Sequence, residues 1–390
     1  MPRSTGSHQV VRIARTSGRG TILKVAELFA GVGGMTLGAA RAGLDVRLAV
    51  ELDQRAMSAH VRNFPSSNHL TADVSTLGAS DLLDAAKLKP GQLDGLIGGP
   101  PCQGFSAIGK KELGDPRNSL FGHFVRLVLE TQPRFFLAEN VNGILAPRNQ
   151  EFLEAAFLPL HGQYDLLSPL VIKASDVGAP TSRTRVFFVG IHRSSGYRSF
   201  DVDTLRPQSS IGSNPVGHAL KGLPATIDED WTSNIMGRTR LHKVASSPYH
   251  NKIADDRPDG VGESDSLRLL EKGIVLNHQG TIHSPDLQLR YARLGPGEQD
   301  YKTKSVRLYA KGFCPTLRAG TGAERGSFQA VRPIHHRMPR VITPREAARL
   351  QSFPDWFSFD QTKWQAFRQI GNSVPPILAE AVLRRLLTSI

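Results

Sequence analysis

The segment Phe29-Ala30-Gly31-Val32-Gly33-Gly34 separates an apolar run at residues 22–28 from a helix-forming run at residues 35–42. A glycine-rich turn between a strand and a helix lets a ligand approach the backbone, and the first N–H groups of the helix are free to bind it. The next strand, at residues 46–50, leads into Glu51. An acidic side chain at that strand tip can accept hydrogen bonds from ribose hydroxyls. The pattern therefore predicts a β-α-β unit with a site for an adenosine-containing cofactor.

A second turn, Gly98-Gly99-Pro100-Pro101-Cys102, follows an apolar run at residues 93–97. Glycine and proline do not continue a strand, so the backbone must bend sharply there. Cys102 is thus predicted to lie at the tip of a rigid turn, where a nucleophile would be placed. A buried structural thiol is the more common fate of a free cysteine, and on the turn alone this alternative stays open.

Two more acidic side chains are predicted near the same edge of the sheet. Asp73 follows a third strand, and Glu139 ends an apolar strand at residues 134–138. Because ligands bind at the carboxyl ends of parallel strands, both acids are candidate site residues, and a carboxyl group there could serve as a proton donor. Glu51 and Glu139 could instead cap helices, and Asp73 could belong to an ordinary turn.

A pair of arginines precedes the next buried strand. Arg183 and Arg185 are two residues apart, ahead of the apolar run at residues 186–191, so in an extended chain their side chains point the same way. Together they could hold an anion or a carbonyl group, and they could equally be surface charge. The spacing alone does not decide between these alternatives.

The composition limits the class of protein. The chain has 390 residues, enough for two domains, and its 39% hydrophobic and 21% charged residues fit a globular protein. Two cysteines argue against a disulfide framework and a cysteine-rich zinc site, which suits a cytoplasmic protein. No apolar run approaches the roughly 20 residues of a membrane helix, and no secretory signal is expected. The net charge of +13 predicts affinity for polyanions.

The periodicity of the sequence changes along the chain. Residues 1–20 are predicted to form a flexible basic tail, and strands alternate with helices up to about His192. Residues 193–215 suit a linker, and the segment up to about residue 335 is predicted to be a loop-rich second domain. No metal site is favoured there, since no ligand spacing recurs among His278, His283, His335 and His336.

Regular structure returns near the end of the chain. Thr343 is a plausible N-cap for a helix that continues to about Ser352, and the segment Gln369–Pro376 is predicted to be a turn. A last helix follows, with an apolar stripe that must pack against another element: Leu378, Val382 and Leu386.

Taken together, these motifs resemble those of the DNA (cytosine-5)-methyltransferases of bacterial restriction–modification systems. The resemblance extends from Val25 to about Arg385, except for the stretch between about residues 195 and 300. Eight motifs occur in the family's order: Phe29-x-Gly31-x-Gly33-Gly34, Glu51, Asp73, Pro101-Cys102-Gln103, Glu139-Asn140-Val141, Arg183-x-Arg185, the segment Arg340 to Gln351, and Gly371-Asn372-Ser373-Val374.

The resemblance implies an α/β fold with two parts. These are a Rossmann-like S-adenosylmethionine-dependent methyltransferase domain and a second, smaller, loop-rich target-recognition domain. It places the catalytic domain at residues 21–195, completed by residues 363–390, and the target-recognition domain with its hinge at residues 196–362.

The resemblance also assigns roles to single residues. Cys102 matches the nucleophile, and the groups that match the surroundings of the target base are Glu139, Arg183 and Arg185. The predicted DNA-binding loop that follows the nucleophile carries Gln103, Ser106, Lys110, Lys111 and Arg117. The residues that match the S-adenosylmethionine site are Phe29, Gly31, Gly33, Gly34, Glu51, Asp73, Val74, Pro101, Leu120, Asn372 and Val374.

One position departs from the family pattern, which usually has Gln two residues before the first arginine, where Thr181 stands here. The expected partner is double-stranded DNA, with a cognate restriction endonuclease acting separately, and a monomer is expected. An RNA cytosine-5 methyltransferase with the same catalytic core and a catalytically silent DNA-binding relative stay as alternatives. A nicotinamide dehydrogenase, suggested by the glycine turn alone, leaves Pro-Cys-Gln and Asn372 unexplained.

Overall fold

The computed structural model describes residues 22–101, 119–196, 209, 211–227, 236–254, 257–319 and 331–390. Several predictions fall outside the described residues. They concern the basic tail at residues 1–20, the candidate nucleophile, and the loop after it: Cys102, Gln103, Ser106, Lys110, Lys111 and Arg117.

A mixed β-sheet forms the centre of the described chain, in the order β3-β2-β1-β4-β5-β8-β6, with β7 also paired to β8. The strands β1 to β5 run parallel, whereas β8 is antiparallel to β5 and to both β6 and β7. The strand order reverses between β1 and β4, which is where open parallel sheets bind their ligands. The bounds are β1 (Lys24–Leu28), β2 (Asp45–Glu51), β3 (Asn68–Thr71), β4 (Gly95–Gly98), β5 (Phe135–Val141), β6 (Tyr164–Leu166), β7 (Leu170–Lys173) and β8 (Thr184–His192).

Helices cover both faces of this sheet, and seven further α-helices follow β8 among the described residues. The helices are α1 (Gly34–Ala42), α2 (Gln54–Asn63), α3 (Ala79–Ala86), α4 (Ser119–Thr131), α5 (Gln150–Phe157), α6 (Val216–Ala219), α7 (Pro248–Ala254), α8 (Ser264–Glu271), α9 (Pro285–Arg293), α10 (Pro344–Leu350), α11 (Lys363–Asn372) and α12 (Pro376–Ser389). A small antiparallel pair joins β9 (Thr239–Arg240) to β10 (Ile274–Val275). In the described part of the chain, no helix has the length and apolar character needed to span a membrane.

Alternate residues of the central strands supply two apolar layers. Phe135 and Leu137 of β5 belong to one buried cluster, and Phe136 and Ala138 belong to the other. This alternation is expected for strands buried on both faces. The first cluster also includes Trp356, so the predicted catalytic and target-recognition segments share buried apolar side chains. The division of the chain into domains stays a prediction.

The last helix meets the expectation from its apolar stripe. Leu378, Val382 and Leu386 are completely or almost completely buried, and α12 packs against α1. Helix α10 begins as predicted, with Thr343 accepting a hydrogen bond from the Glu346 backbone N–H in a capping box. Both C-terminal helices thus complete the layer on the α1 side of the sheet.

The prediction of a turn at Gln369–Pro376 is wrong in its first half, because α11 continues through Asn372. Gly371 is part of the helix for a packing reason. A Cβ atom there would lie 2.7 Å from the backbone nitrogen of Ala319, so the neighbouring chain passes where a side chain would stand. Glycine often indicates a turn in a sequence, and here it permits close approach of two backbones.

Candidate cofactor and target-base site

The glycine turn between β1 and α1 has an unusual backbone. Phe29 has φ 57°, Gly31 has φ 56° and Gly33 has φ 100°. A Cβ atom on Gly33 would lie 2.2 Å from Cε2 of Phe64, the residue that follows α2, so the end of α2 lies against the turn. Among the described residues other than its two chain neighbours, none has an atom within 4 Å of the Cβ position of Gly31, so the described structure leaves space beside this part of the turn. That space is where a ligand could approach the backbone.

Glu51 links the glycine turn at residues 29–34 to the turn at residues 51–53 that follows β2, and these two are called the cofactor turns below. Its Oε2 accepts a hydrogen bond from Gly31 N at 2.8 Å, and its Oε1 accepts one from Asp53 N at 2.8 Å. Burial raises the pKa of Glu51, and these two backbone N–H groups oppose that rise. Each carboxylate oxygen has a second lone pair, so both can still accept from a ligand hydroxyl. The N-cap of α2 is Asp53 rather than Glu51.

The other predicted cofactor residues lie around these turns. Val374 touches the start of α1, since a Cβ on Gly34 would lie 2.3 Å from the Val374 carbonyl oxygen. Asp73 Oδ1 accepts a hydrogen bond from Ser75 N at 2.9 Å, which lowers the pKa of that carboxyl. Val74 is buried beside it. The remaining three are half-buried or exposed: Pro101 after β4, Leu120 in the first turn of α4 and Asn372 at the end of α11.

The second half of the site is a buried ion pair. Arg185 Nε lies 2.6 Å from Glu139 Oε1, and the side chains are 9% and 12% exposed. The pair forms because β5 and β8 are antiparallel, with Val141 opposite Arg185. Glu139 lies within β5 rather than after its end, which corrects the predicted strand bounds. A carboxylate and a guanidinium so placed can hold the polar edge of a planar base.

The turn that leads to Cys102 is attached beside this ion pair. Asn140 Nδ2 donates to the carbonyl oxygen of Pro100 at 3.1 Å. A Cβ on Gly99 would lie 3.1 Å from Glu139 Oε2, so the turn passes directly over the carboxylate. The residues just before Cys102 therefore lie at the same end of the sheet as Glu139. The sequence reasoning did not anticipate the role of Asn140, because nothing local indicates its partner.

Arg183 lies deeper than Arg185. Its Nη1 donates to the Leu317 carbonyl oxygen at 3.2 Å, and its buried Nε has no partner among the described residues. Burial lowers the pKa of Arg183, as does the neighbouring Arg185 charge, while Glu139 opposes the change. A buried donor without a partner is costly, so an acceptor brought in by a substrate would suit this position.

Thr181, the departure from the family pattern, holds a distant segment of chain. Its hydroxyl donates to the Cys314 carbonyl oxygen at 3.0 Å, and Cys314 N donates to the Pro180 carbonyl oxygen at 2.9 Å. Cys314 is fully buried, and burial raises the pKa of its thiol. Such a thiol resists forming the thiolate, as a structural cysteine does.

Helix α11 is fastened to the cofactor turns by contacts that sequence reasoning missed. Arg368 Nη1 lies 2.7 Å from Asp53 Oδ2, and Gln369 Nε2 donates to the Arg55 carbonyl oxygen at 3.2 Å. These bonds hold the helix that ends in Asn372 against the start of α2. The only signal in the sequence was the proximity of both residues to the Gly371-Asn372 motif.

Two of the histidines considered for a metal site, His278 and His335, have other partners. His278 Nδ1 lies 2.9 Å from Thr343 Oγ1, and His278 Nε2 lies 3.0 Å from the Pro224 carbonyl oxygen. His335 Nδ1 accepts from the backbone nitrogens of Arg337 and Met338. Within the described residues, no group of three or more His, Cys, Asp or Glu side chains is arranged to hold a metal ion.

Comparison with known proteins agrees with this geometry. The chain is similar to the type II methyltransferase M.XorII of Xanthomonas oryzae, with 38% identity over 91% of this chain and 82% of the relative. It is also similar to the type II methyltransferase M.DdeI of Desulfomicrobium norvegicum, with 31% identity over 93% of this chain and 88% of the relative.

Solved structures agree as well. The crystal structure of a candidate DNA modification methyltransferase encoded within an E. coli prophage superposes with a TM-score of 0.85 and 47% identity, over 94% of this chain and 99% of that one. Dnmt2 of S. pombe, at 17% identity and a TM-score of 0.57 over 94% of this chain and 98% of that one, shares the fold. A sequence model of the C-5 cytosine-specific DNA methylases matches residues 23–388. The resemblance found in the motifs is thereby confirmed, and this chain belongs to the family of C-5 cytosine-specific DNA methylases.

Proposed function

We propose that this protein transfers a methyl group from S-adenosylmethionine to C5 of a flipped-out cytosine in a specific double-stranded DNA sequence, through a covalent bond from Cys102 to C6. The observation that carries the proposal is the Glu139–Arg185 ion pair beside the turn that leads to Cys102. The glycine turn and Glu51 lie at the same edge of the sheet, at the carboxyl ends of β1 and β2. Substrate base and cofactor would therefore meet where the strand order reverses.

The residues of the glycine turn fit S-adenosylmethionine. The open space beside Gly31 admits a ligand, and Glu51 has acceptor sites left for ribose hydroxyls. Asp73 would accept from the adenine amino group, with Phe29, Val74, Leu120 and Val374 as the apolar surroundings. The bound cofactor supplies an electrophilic methyl group on a sulfonium ion.

The chain's own groups would activate the base. Cytosine C5 is a weak nucleophile, and addition of the Cys102 thiolate to C6 moves the electron pair of the C5–C6 double bond to C5. C5 would then attack the methyl carbon as the bond from that carbon to the sulfonium sulfur breaks, and the bonding pair would stay on the sulfur of the departing thioether. Glu139 would bind the N3 and N4 edge and donate a proton to N3 as negative charge develops there, taking the proton back when the ring is restored, and Arg185 would donate to O2. The C5 proton then leaves to water, the sulfur–C6 bond breaks, and the aromatic ring is restored.

This chemistry requires the cytosine to leave the duplex. Flipping a base costs a few kcal/mol, which contacts in the vacated space can offset. We assign that role to the loop at residues 104–118, with Lys110, Lys111 and Arg117 contacting phosphates. The type II methyltransferases among the relatives support a role as the modification enzyme of a restriction–modification system, with a separately acting endonuclease. We propose a monomer that acts in the cytoplasm.

Methyl incorporation from labelled S-adenosylmethionine tests this function. We expect label in double-stranded DNA that contains the target sequence, as 5-methylcytosine after hydrolysis. Unmodified tRNA should take up none. Label in tRNA and none in DNA would contradict the proposal and favour the RNA alternative. Binding of DNA without incorporation would favour the catalytically silent alternative.

Glu51→Ala should weaken S-adenosylmethionine binding about 10-fold or more, because it removes charge-assisted hydrogen bonds to ribose and loosens Gly31 and Asp53. DNA binding should be largely unchanged. Calorimetry with the cofactor and a band-shift assay with DNA measure the two effects separately. An unchanged cofactor affinity would contradict the assignment of Glu51.

Exchange of residues 215–310 for the matching segment of a relative should change the methylated sequence, since we place sequence recognition in this segment. The expected affinity for DNA without the target site should persist and fall steeply with salt, because Lys and Arg side chains displace phosphate counterions. Sequencing of the methylated sites reads the result. Methylation of the original sequence by the chimera would show that recognition lies elsewhere.

A further inference from the structure

A hydrogen-bonded network of polar side chains lies next to the two cofactor turns. It consists of Glu27, Thr36, His60 and His69 and is called the polar network below. Thr36 Oγ1 lies 2.5 Å from Glu27 Oε2 and 2.8 Å from His60 Nε2, and His60 Nδ1 lies 3.0 Å from His69 Nε2. Glu27, Thr36 and His60 are completely or almost completely buried. The mechanism proposed above uses none of these side chains, and buried polar groups of this kind require a reason.

The polar network connects the strands and helices that flank the two cofactor turns. Glu27 lies on β1 and Thr36 on α1, on either side of the glycine turn, and His60 lies on α2, which follows Glu51. His60 also touches the turn directly, since a Cβ on Gly33 would lie 3.1 Å from His60 Cδ2. The Thr36 hydroxyl therefore links the strand before one cofactor turn to the helix after the other.

Burial favours the neutral forms of Glu27 and His60 in the polar network. Burial raises the pKa of Glu27 to about 8, while its hydrogen bond with Thr36 opposes the rise and nearby Glu51 adds to it. Burial also holds the pKa of His60 well below its usual value. Thr36 Oγ1 donates to Glu27 Oε2 when the carboxyl group is ionised. When Glu27 is neutral, its O–H can instead donate to Thr36 Oγ1, whose hydrogen then goes to His60 Nε2, while His60 Nδ1–H donates to His69. Each of these three donors then has one acceptor, so the polar network is hydrogen-bonded throughout when Glu27 and His60 are neutral.

We propose that Glu27, Thr36 and His60 are positioning residues that hold the glycine turn and the Glu51 turn in the geometry that binds S-adenosylmethionine, an inference that rests on the proposed function. The turn requires such support because Phe29 has a left-handed backbone conformation, which side-chain-bearing residues rarely adopt. The hydrogen bond between Glu27 and Thr36 joins the strand before that turn to the helix after it. The cofactor then binds a turn that is already ordered.

Thr36→Val tests this proposal, since valine keeps the branched shape and removes the hydroxyl. We expect the dissociation constant for S-adenosylmethionine, measured by calorimetry, to rise about 10-fold, the equivalent of one to two hydrogen bonds. The KM for the cofactor should rise while kcat at saturation is kept. Thr36→Ser should restore binding. The matched control is Thr131→Val, which removes another buried threonine hydroxyl, one bonded to the Leu127 carbonyl of its own helix.

The outcomes separate this inference from the proposed function. If the wild type and Thr131→Val bind the cofactor and Thr36→Val binds equally well, the positioning role is wrong while the proposed function stands. If the wild type itself binds no S-adenosylmethionine, both are wrong. If Thr36→Val weakens binding and Thr36→Ser does not restore it, loss of the hydroxyl is not the cause, and the proposal fails.

Glu27→Gln gives a second test that does not depend on the folding of Thr36→Val. The amide can donate to Thr36 as the neutral acid does, so cofactor affinity at about pH 7 should match the wild type within about 3-fold. Folding favours the protonated acid, so the stabilisation by Glu27 is complete below about pH 4.5 and is lost as the pH rises through about 8.

The groups that face Glu27 predict a pH profile. They are Thr36 on α1, Glu51 on β2 and, through Thr36, His60 on α2 and His69 on β3. Ionised Glu27 would repel Glu51, and it would accept a hydrogen bond from Thr36 instead of donating one. The Tm of the wild type should therefore fall from about pH 4.5 to about pH 8 and level off above that. The cofactor affinity should fall as folded Glu27 ionises near pH 8. Both falls should be absent or smaller in Glu27→Gln, and an identical profile in both proteins would overturn the proposal.

Discussion

Replacing Cys102 with alanine should abolish methyl transfer, with a loss of at least about 1,000-fold, because the nucleophile acts on every turnover. S-Adenosylmethionine binding should be retained, since the cofactor turns lie on β1 and β2. The same residue should form a covalent adduct with a cognate duplex that carries 5-fluorocytosine at the target position. Fluorine on C5 cannot leave as a proton does, so the reaction stops after methyl transfer with sulfur bonded to C6.

The adduct has a matched control within the chain. It should require S-adenosylmethionine, survive denaturing electrophoresis and disappear in Cys102→Ala. Cys314→Ala should leave it intact, because Cys314 is fully buried and its backbone is bound to Pro180. An adduct that persists without Cys102 and disappears without Cys314 would contradict the mechanism.

Glu139→Gln should lower kcat by roughly 100- to 10,000-fold, the range typical of losing a positioned acid–base group. The amide cannot supply the proton or the charge at the N3 and N4 edge of the base. It also removes the ion pair that orients Arg185, whose Nε lies 2.6 Å from the carboxylate. Single-turnover methylation with saturating DNA and cofactor measures the loss in the chemical step.

Glu346→Gln is the control for this variant. Glu346 is also buried and ion-paired, with Arg340, and these contacts hold the pKa of its carboxyl at about 2. It lies in the capping box of α10, whereas Glu139 lies on β5, so its replacement should lower Tm and leave kcat nearly unchanged. Equal losses of kcat in the two variants would show that Glu139 matters only for folding.

The first half of the fold could be predicted from the sequence because its signals are local. The turn at residues 29–34 combines glycines with an apolar strand and a helix. The strands β6 and β7 were not anticipated. They are short, and their pairing with β8 depends on a partner distant in the chain. The prediction of a turn at Gly371 failed because close backbone contact, rather than a bend, accounts for that glycine.

The candidate site shows the same distinction. The sequence identified Glu51, Glu139 and Arg185 as separate candidates, each with a plainer alternative. It could not predict that Glu139 and Arg185 form an ion pair, since their contact depends on the antiparallel register of β5 and β8. The link from Asn140 to Pro100 was likewise out of reach, because an asparagine in a strand carries no sign of its partner.

The polar network next to the cofactor turns could not be predicted from the sequence either. Glu27 lies in an apolar strand and Thr36 in an ordinary helix, and neither position is near the other by periodicity. Their contact follows from the fold of α1 back over β1, which brings one face of the helix against the strand. Polar residues inside buried elements therefore identify candidates for long-range bonds, while the structure identifies the partners.

Bisulfite sequencing of DNA from a host that lacks its own cytosine methylation tests the central claim most directly. Cells that express this protein should contain protected cytosines at one position of one recurring sequence, and cells that express Cys102→Ala at the same level should contain none. Identical, complete conversion in both, with the full-length wild-type protein folded and present, would contradict the assignment of this chain as a DNA cytosine-5 methyltransferase that acts through Cys102.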